Sequence, residues 1–321
     1  MKLESVPTPY SISQAGSFAR SCLTSGQHGQ VLAVFSKAIF LQTKTGELFW
    51  VSAQDTPMHR RCARVSGVLP HPSAGSRYHV HNYELMIEKV DTLDLKRTTG
   101  WDEPGRDPAM AVSLLIPHVQ VFFSSLDYSL AMGFGTFIPQ LLLLSNGEPV
   151  DRLPDPTDPV LAHAYTLVMD LARACLENRH SDISYCSKKL VGLGSGLTPS
   201  GDDFLGGMAF AIHMLQFNYP DLDLFDLSQE VDHYQSRTHP ISFALLSDLV
   251  QGHAIAPLHQ VTNGLMCGKP FIDLQTCVSQ LTSVGHSTGW DLLAGLLAGL
   301  LAISHSHYCI PSFKIIRNIE I

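Results

Sequence analysis

Several things are scarce in this 321-residue chain, and each scarcity narrows what it does. Charged residues make up only 16%, well under the roughly 25% of an average soluble domain, while apolar residues stay at 45%. Much surface is therefore buried, in a core, in a subunit interface, or in both. Basic residues are outnumbered, 21 Lys and Arg against 29 Asp and Glu, and the net charge of −8 argues against phosphate backbones and anionic headgroups as partners. Neither nucleic acid nor membrane is expected to bind, and any anion must be held locally. The seven cysteines, at 22, 62, 175, 186, 267, 277 and 309, include no C-x-x-C pair. That excludes a zinc ribbon or a disulfide framework and fits reduced thiols in a cytoplasmic protein. The longest apolar run, Trp290 to Ile303, carries Asp291 near its start and falls short of the ~20 residues of a membrane span. Met1 to Gln14 has an early acid, Glu4, and two prolines where a secretory signal needs a continuous apolar segment, so no export is expected.

What is present divides the chain by texture. Val31–Phe35 and Ala38–Leu41 precede Thr45-Gly46, and Glu47–Val51 follows, the pattern of an antiparallel pair about a glycine turn. Tyr78–Val90 and Ala111–Phe123 read as further extended segments, separated by a polar loop, Thr98–Pro108. Asn146–Pro159 (NGEPVDRLPDPTDP) is rich in proline and acids and reads as a linker or long loop. Beyond it the period becomes helical. Helices are expected at Val160–Glu177, Pro199–Phe217, Pro240–Gln251, Phe271–Thr282 and Thr288–Ser304. The expected class is α+β, with a β-rich domain over 1–150 and a mainly helical domain over 151–321.

The strongest local signal is GLGSGLTPSGDDFLGG, Gly192 to Gly207. Glycines at 192, 194 and 196 permit positive φ and let backbone N–H groups approach a ligand. Thr198-Pro199 then reads as N-cap and first helical residue. The exposed amides and the positive helix end together make an anion site that needs no net basic charge. A second segment, VGHSTGWDLLAG, Val284 to Gly295, repeats the logic. Ser200, Gly201, Asp203 and Gly207 correspond to Thr288, Gly289, Asp291 and Gly295, each 88 residues later. Both copies read as capping boxes, in which Ser200 or Thr288 accepts from an N–H one turn on and Asp203 or Asp291 reaches back. Gly206-Gly207 and Ala294-Gly295 would let two helices approach closely.

These segments also carry a resemblance. GLGSGLTPSGDDFLGG, then Thr238-His-Pro-Ile-Ser242 leading into a helix that ends at Gly252, then GHSTGWDLLAGL, are similar over roughly Val191–Leu300 to the ordered motifs of the AllH family, a subunit of oxamate carbamoyltransferase. The resemblance implies a role in allantoin and purine breakdown, where oxalurate and phosphate give oxamate and carbamoyl phosphate, and implies partner subunits. The matching positions are the candidate site: Gly194, Ser195, Gly196, Thr198, Ser200, Gly201, Gly285, Ser287, Thr288, Gly289 and Asp291 for a small anion such as phosphate, oxamate or carbamoyl phosphate, with Asp202, Asp203 and His286 for the chemistry. Asp202, outside the capping role, would orient an amide N–H₂ or hold a divalent ion, Mg²⁺ being the one cofactor considered. Against this stands a first-turn acid in solvent, favoured by the helix dipole. His286 is the natural proton carrier, against a plain loop histidine.

Other readings are weaker. Gly285-His-Ser-Thr-Gly289 fits G-x-S-x-G, but too few residues follow to supply the Asp and His of a hydrolase from separate elements. The loop lacks the Gly-Lys-[Ser/Thr] ending of a P-loop, and no dinucleotide fingerprint occurs. His79-Val-His81 and His305-Ser-His307 are paired without a third ligand and are not assigned a metal. A non-catalytic scaffold subunit remains the alternative, the helix with Gly295 and Gly299 four apart serving a subunit interface as well as a core.

Overall fold

The computed structural model describes residues 10–105, 107–150 and 159–305. Regular alternation of apolar residues builds the first part. In β3 (Ala38–Thr43), β6 (Arg77–His81) and β7 (Glu84–Ile87) every second side chain is buried, so each strand turns one face to a core and one outward. β4 (Leu48–Ser52) is buried throughout, because Trp50 on its outer face is covered by stacking on His59. The remaining strands are β1 (Ser11–Gly16), β2 (His28–Val34), β5 (Cys62–Ser66), β8 (Leu93–Asp94) and β9 (Thr99–Trp101). The order β5-β4-β3-β2-β6-β7-β8-β1 closes through a β1–β5 pairing, giving an eight-stranded barrel. β9 joins the same edge of β1 that takes β8, both parallel to it. Closure removes the free edges at which an open sheet would recruit other chains. Ile12, Leu41, Phe49, Val65, Val80 and Leu85 belong to the barrel core, and a short helix, α1 (Ser17–Cys22), caps it through Ala19 and Cys22.

The expected pair about Gly46 is β3 and β4, with Gly46 at φ 93 and its N–H on the Thr43 carbonyl. Tyr78–Val90, expected as one extended run, is a hairpin. Asn82 and Tyr83 both adopt positive φ, 48 and 65, the turn whose twist matches its strands.

Ala111–Phe123 is not extended. It forms α2 (Val112–Ser124), whose buried Leu115, Val119, Phe122 and Phe123 recur at helical spacing and override the β-propensity of the segment. α3 (Ile138–Ser145) follows. The helical unit continues with α4 (Pro159–Leu176), α5 (His180–Leu190), α6 (Ser200–Asn218), α7 (Pro240–Val250), α8 (Ala256–Met266), α9 (Phe271–Thr282) and α10 (Thr288–Leu301). α10 is buried from Gly289 to Leu301 and forms the unit's centre. It packs chiefly on α6, with α2, α3, α4 and α9 around it, while α5 and α7 lie against α6. Such all-round apolarity marks a helix enclosed by protein, and no helix among the described residues is long and apolar enough to cross a membrane.

The α+β class therefore holds, with the β-rich part first. Two compact units divide after Gly105 rather than at 150/151, because α2 and α3 belong with the later helices. His253–His259 joins the barrel unit, where Ala256 N donates to the Met58 carbonyl at 2.9 Å and Glu103 accepts from His253 Nδ1 at 2.8 Å. Of the expected linker, 151–158 lie outside the described residues, as do His307 and Cys309.

Candidate functional site

Two helix–loop–helix segments, α5 to α6 and α9 to α10, meet in the helical unit along their second helices. The contact is backbone against glycine. A Cβ built on Gly207 would collide with the Leu292 carbonyl, and one built on Gly295 with the Phe204 carbonyl. Those partners are the same pair of positions shifted by 88 residues, so the two helices are related by an approximate two-fold. Gly299 meets the Met208 carbonyl in the same seam. Of the two uses expected for Gly295 and Gly299, core and partner interface, the structure shows the core one, since both face α6 within the chain.

The loops repeat the correspondence. Gly201 N donates to the Leu193 carbonyl at 2.9 Å and Gly289 N to the Val284 carbonyl at 3.1 Å. A Cβ on either glycine would strike the carbonyl of Leu190 or Leu281, at the end of the preceding helix. Gly201 and Gly289, expected to contact substrate, are therefore buried packing residues. Gly194 (φ 124) lies over the Ser200 amide, and Gly285 (φ 63) over the Thr288 hydroxyl. Ser195, Gly196, Gly285 and His286 are exposed around this seam. Among the described residues no hydrogen bond occupies the amides of Gly194, Ser195 and Gly196.

The capping boxes do not form. α6 begins at Ser200 after Pro199, α10 at Thr288 after Ser287, and neither preceding residue makes a side-chain cap. Instead the hydroxyls cross between helices. Thr198 Oγ1 lies 3.2 Å from Thr288 Oγ1, and Ser200 Oγ lies 3.4 Å from Ser287 Oγ. Thr288 and Thr198 favour the charged form of Asp203, and Ser287 and Ser200 that of Asp291, so each acid is influenced by its own loop and by the first residue of the other helix. A capping box is a local pattern; here the close helix contact makes the neighbouring helix's hydroxyl the nearer partner.

Both acids are buried, at 5% and 0% exposure. Burial pushes the Asp203 carboxyl well above its ordinary range, and the Asp291 charge adds to the rise against the Thr288 and Thr198 hydroxyls. Burial lifts Asp291 to about 6, opposed by the Phe134 amide and the Ser287 and Ser200 hydroxyls. Both acids therefore keep their protons to higher pH than an exposed carboxyl does. Asp203 Oδ2 and Asp291 Oδ2 are out of solvent with no hydrogen-bond partner among the described residues.

Asp202 is neither solvent-facing nor open to a ligand. It is 2% exposed; Oδ1 accepts from Gly192 N at 2.7 Å, and Oδ2 accepts from Ser242 Oγ at 2.6 Å and from Thr238 Oγ1. The Thr238–Ser242 motif therefore ties the start of the glycine loop to α7, and Asp202 positions the loop. His286 is the exposed histidine of the second loop. His79 and His81 both point outward on β6. Among the described residues no group of three His, Cys, Asp or Glu is arranged to hold a metal ion.

One contributor escaped the sequence reading. Phe134 N donates to Asp291 Oδ1 at 2.6 Å from the short 3₁₀ turn Gly133–Phe137, and Gly133 (φ 55) leaves room for that carboxyl. Its GFG, with glycines at alternate positions as in GLGSG, was the available signal. Residues 190–300 match the family described as oxamate carbamoyltransferase subunit AllH, which supports an AllH assignment for the segment holding both helix starts. No solved structure matches the chain.

Proposed function

From the AllH match over residues 190–300 we propose that this chain is a subunit of a carbamoyl-transferring enzyme, with a small anionic ligand held where α6 and α10 begin together. The observation that carries the reading is that the matched segment contains both glycine-framed helix starts and that these meet, side chain to side chain, at Thr198–Thr288 and Ser200–Ser287. The amides of Gly194, Ser195 and Gly196, with the positive ends of two helices, suit the oxygens of phosphate, oxamate or carbamoyl phosphate. The expected chemistry is phosphorolysis of oxalurate to oxamate and carbamoyl phosphate, in purine catabolism. In it the loop amides hold the anion and His286, exposed beside the hydroxyls, carries a proton. Mg²⁺ has no ready-made ligand set among the described residues, since Asp202 is occupied by protein donors.

A partner-docking role has its own support: Leu114 and Val121, two turns apart on α2, are 60% and 57% exposed. Titration calorimetry with phosphate, oxamate and carbamoyl phosphate on the purified chain tests the ligand site, and co-purification from the native cell tests the subunit role. Saturable binding that is lost in Gly196→Val with the fold intact supports the site. Capture of companion chains without any binding of the three anions favours docking alone.

A further inference from the structure

His79 and His81 share one face of β6, and the fold of the barrel brings a third histidine from a distant part of the chain beside them. β2 runs antiparallel to β6, and His28 is the register partner of His79. Main-chain bonds flank this pair. Val80 N donates to the Gln27 carbonyl at 2.8 Å, and Val31 N to the Ser76 carbonyl at 2.8 Å. Those bonds occupy alternate positions of the ladder, so His28 and His79 form a non-hydrogen-bonded pair, the kind whose Cα atoms stand about 4.5 Å apart and whose side chains come closest. Both are exposed on the outer face of the barrel.

His28 is also held in orientation. Its Nδ1 lies 3.3 Å from the Gly26 carbonyl. A carbonyl can only accept, so Nδ1 carries the proton of that bond and the neutral ring keeps its lone pair on Nε2. Gly26 is itself tied to β6, its N–H donating to the Val80 carbonyl at 2.9 Å, one residue from His79. A main-chain carbonyl behind one ring nitrogen, with the other nitrogen left open, is the arrangement that orients a metal-ligating histidine. Arg77, two residues before His79 on the same face, is countered by Glu88 at 3.6 Å.

We propose that His28 and His79 form a two-imidazole site on the barrel for a divalent transition ion of the Zn²⁺ class. Two nitrogens each ~2.0–2.1 Å from a tetrahedral ion lie about 3.3 Å apart, which side chains with Cβ atoms about 4.5–5.5 Å apart can span. Imidazole selects such ions over Mg²⁺, which takes oxygen ligands. His81 lies on the same face opposite Glu84, but among the described residues no group of three is arranged to hold a metal, so the remaining positions of the ion belong to water or to an exchangeable donor. The site shares no residue with the anion site of the helical unit and stands or falls independently of it.

Ni²⁺ is the probe, since imidazole suits it while thiolates select softer ions. Calorimetry on the untagged full chain at neutral pH should show Ni²⁺ binding that weakens about tenfold or more in His28→Ala and in His79→Ala, because even the loss of a group behind a metal ligand costs about 10- to 100-fold. Since both rings grip one ion, the double variant should bind within about threefold of either single one. His71→Ala, at another exposed histidine of the barrel unit, should bind as the wild type does. Mg²⁺ should give the same isotherm with the wild type and the double variant. The substituted side chains are exposed, so metal-free thermal melts should stay at the wild-type temperature and show that the fold is intact. Equal Ni²⁺ binding by the wild type and the double variant overturns the inference. So does a double variant in which the two single losses simply add, the mark of two separate one-histidine sites.

Discussion

Glu103 in the barrel unit is partly buried and the Asp203–Asp291 pair in the helical unit almost wholly so, and their surroundings treat them in opposite ways. Burial raises Glu103, but His253 and His259 outweigh it and hold the carboxyl at about 2. Burial raises Asp203 and Asp291, and the hydroxyls and the Phe134 amide only partly offset it. The sign of the linkage differs accordingly. Glu103 contributes stability that is present above its unfolded value of 4.5 and is lost as pH falls through about 2. Asp291 contributes stability that is present below 3.8 and is lost as pH rises through about 6. An acid flanked by two histidines is part of the frame. Buried acids whose charged forms are disfavoured weaken the fold at neutral pH.

The largest effect expected comes from attacking the frame that brings the acids together. Gly295→Val drives a side chain into the Phe204 carbonyl and should destabilise the chain by about 3 kcal/mol or more, read by urea denaturation. A tolerated valine would mean that the helices do not depend on backbone contact. Next, Asp202→Ala orphans Gly192 N, Thr238 and Ser242, and a loss of about 2–3 kcal/mol is expected.

The contrast of acids itself is sharpened by a matched pair of amides. Asp203→Asn should stabilise the protein at pH near 8, with the advantage shrinking as pH falls toward 3.8, the ordinary value of an aspartate. Glu103→Gln should destabilise at neutral pH by about 1 kcal/mol. Thermal melts across pH decide between them; the same sign for both substitutions would dissolve the comparison. The smallest effects belong to Gly196→Ala and Gly46→Ala. Both glycines sit near φ 90 in open space, one in each unit, and about 1 kcal/mol is expected for each. Only the first should weaken phosphate binding in calorimetry.

Much of the helical unit was legible because its periodicity is strong. α9 has the expected bounds, and α4, α6 and α7 differ from theirs by a residue. α2 was missed because Val, Ile and Phe favour strands locally, and only packing reveals that Leu115, Val119 and Phe122 share one helical face. The barrel's closure was not legible, since the pairing of β1 with β5 and with β8 and β9 joins segments far apart in the chain, with other strands between them. In the helical unit, the recurrence of hydroxyl, glycine and acid at a spacing of 88 residues marked residues that the structure brings together. Its local reading as two caps hid the exchange of partners between helices, which depends on their proximity. Phe134, 157 residues before Asp291, carries its contribution in a main-chain amide that no side-chain pattern announces.

The glycine seam has one more consequence. Because Gly207 and Gly295 each rest on a carbonyl of the opposite helix, the spacing between Thr198 and Thr288, and between Ser200 and Ser287, is gauged by main-chain atoms rather than by rotamers. Substitutions elsewhere in the bundle that spare these backbone contacts should therefore leave the separation of the two helix starts unchanged.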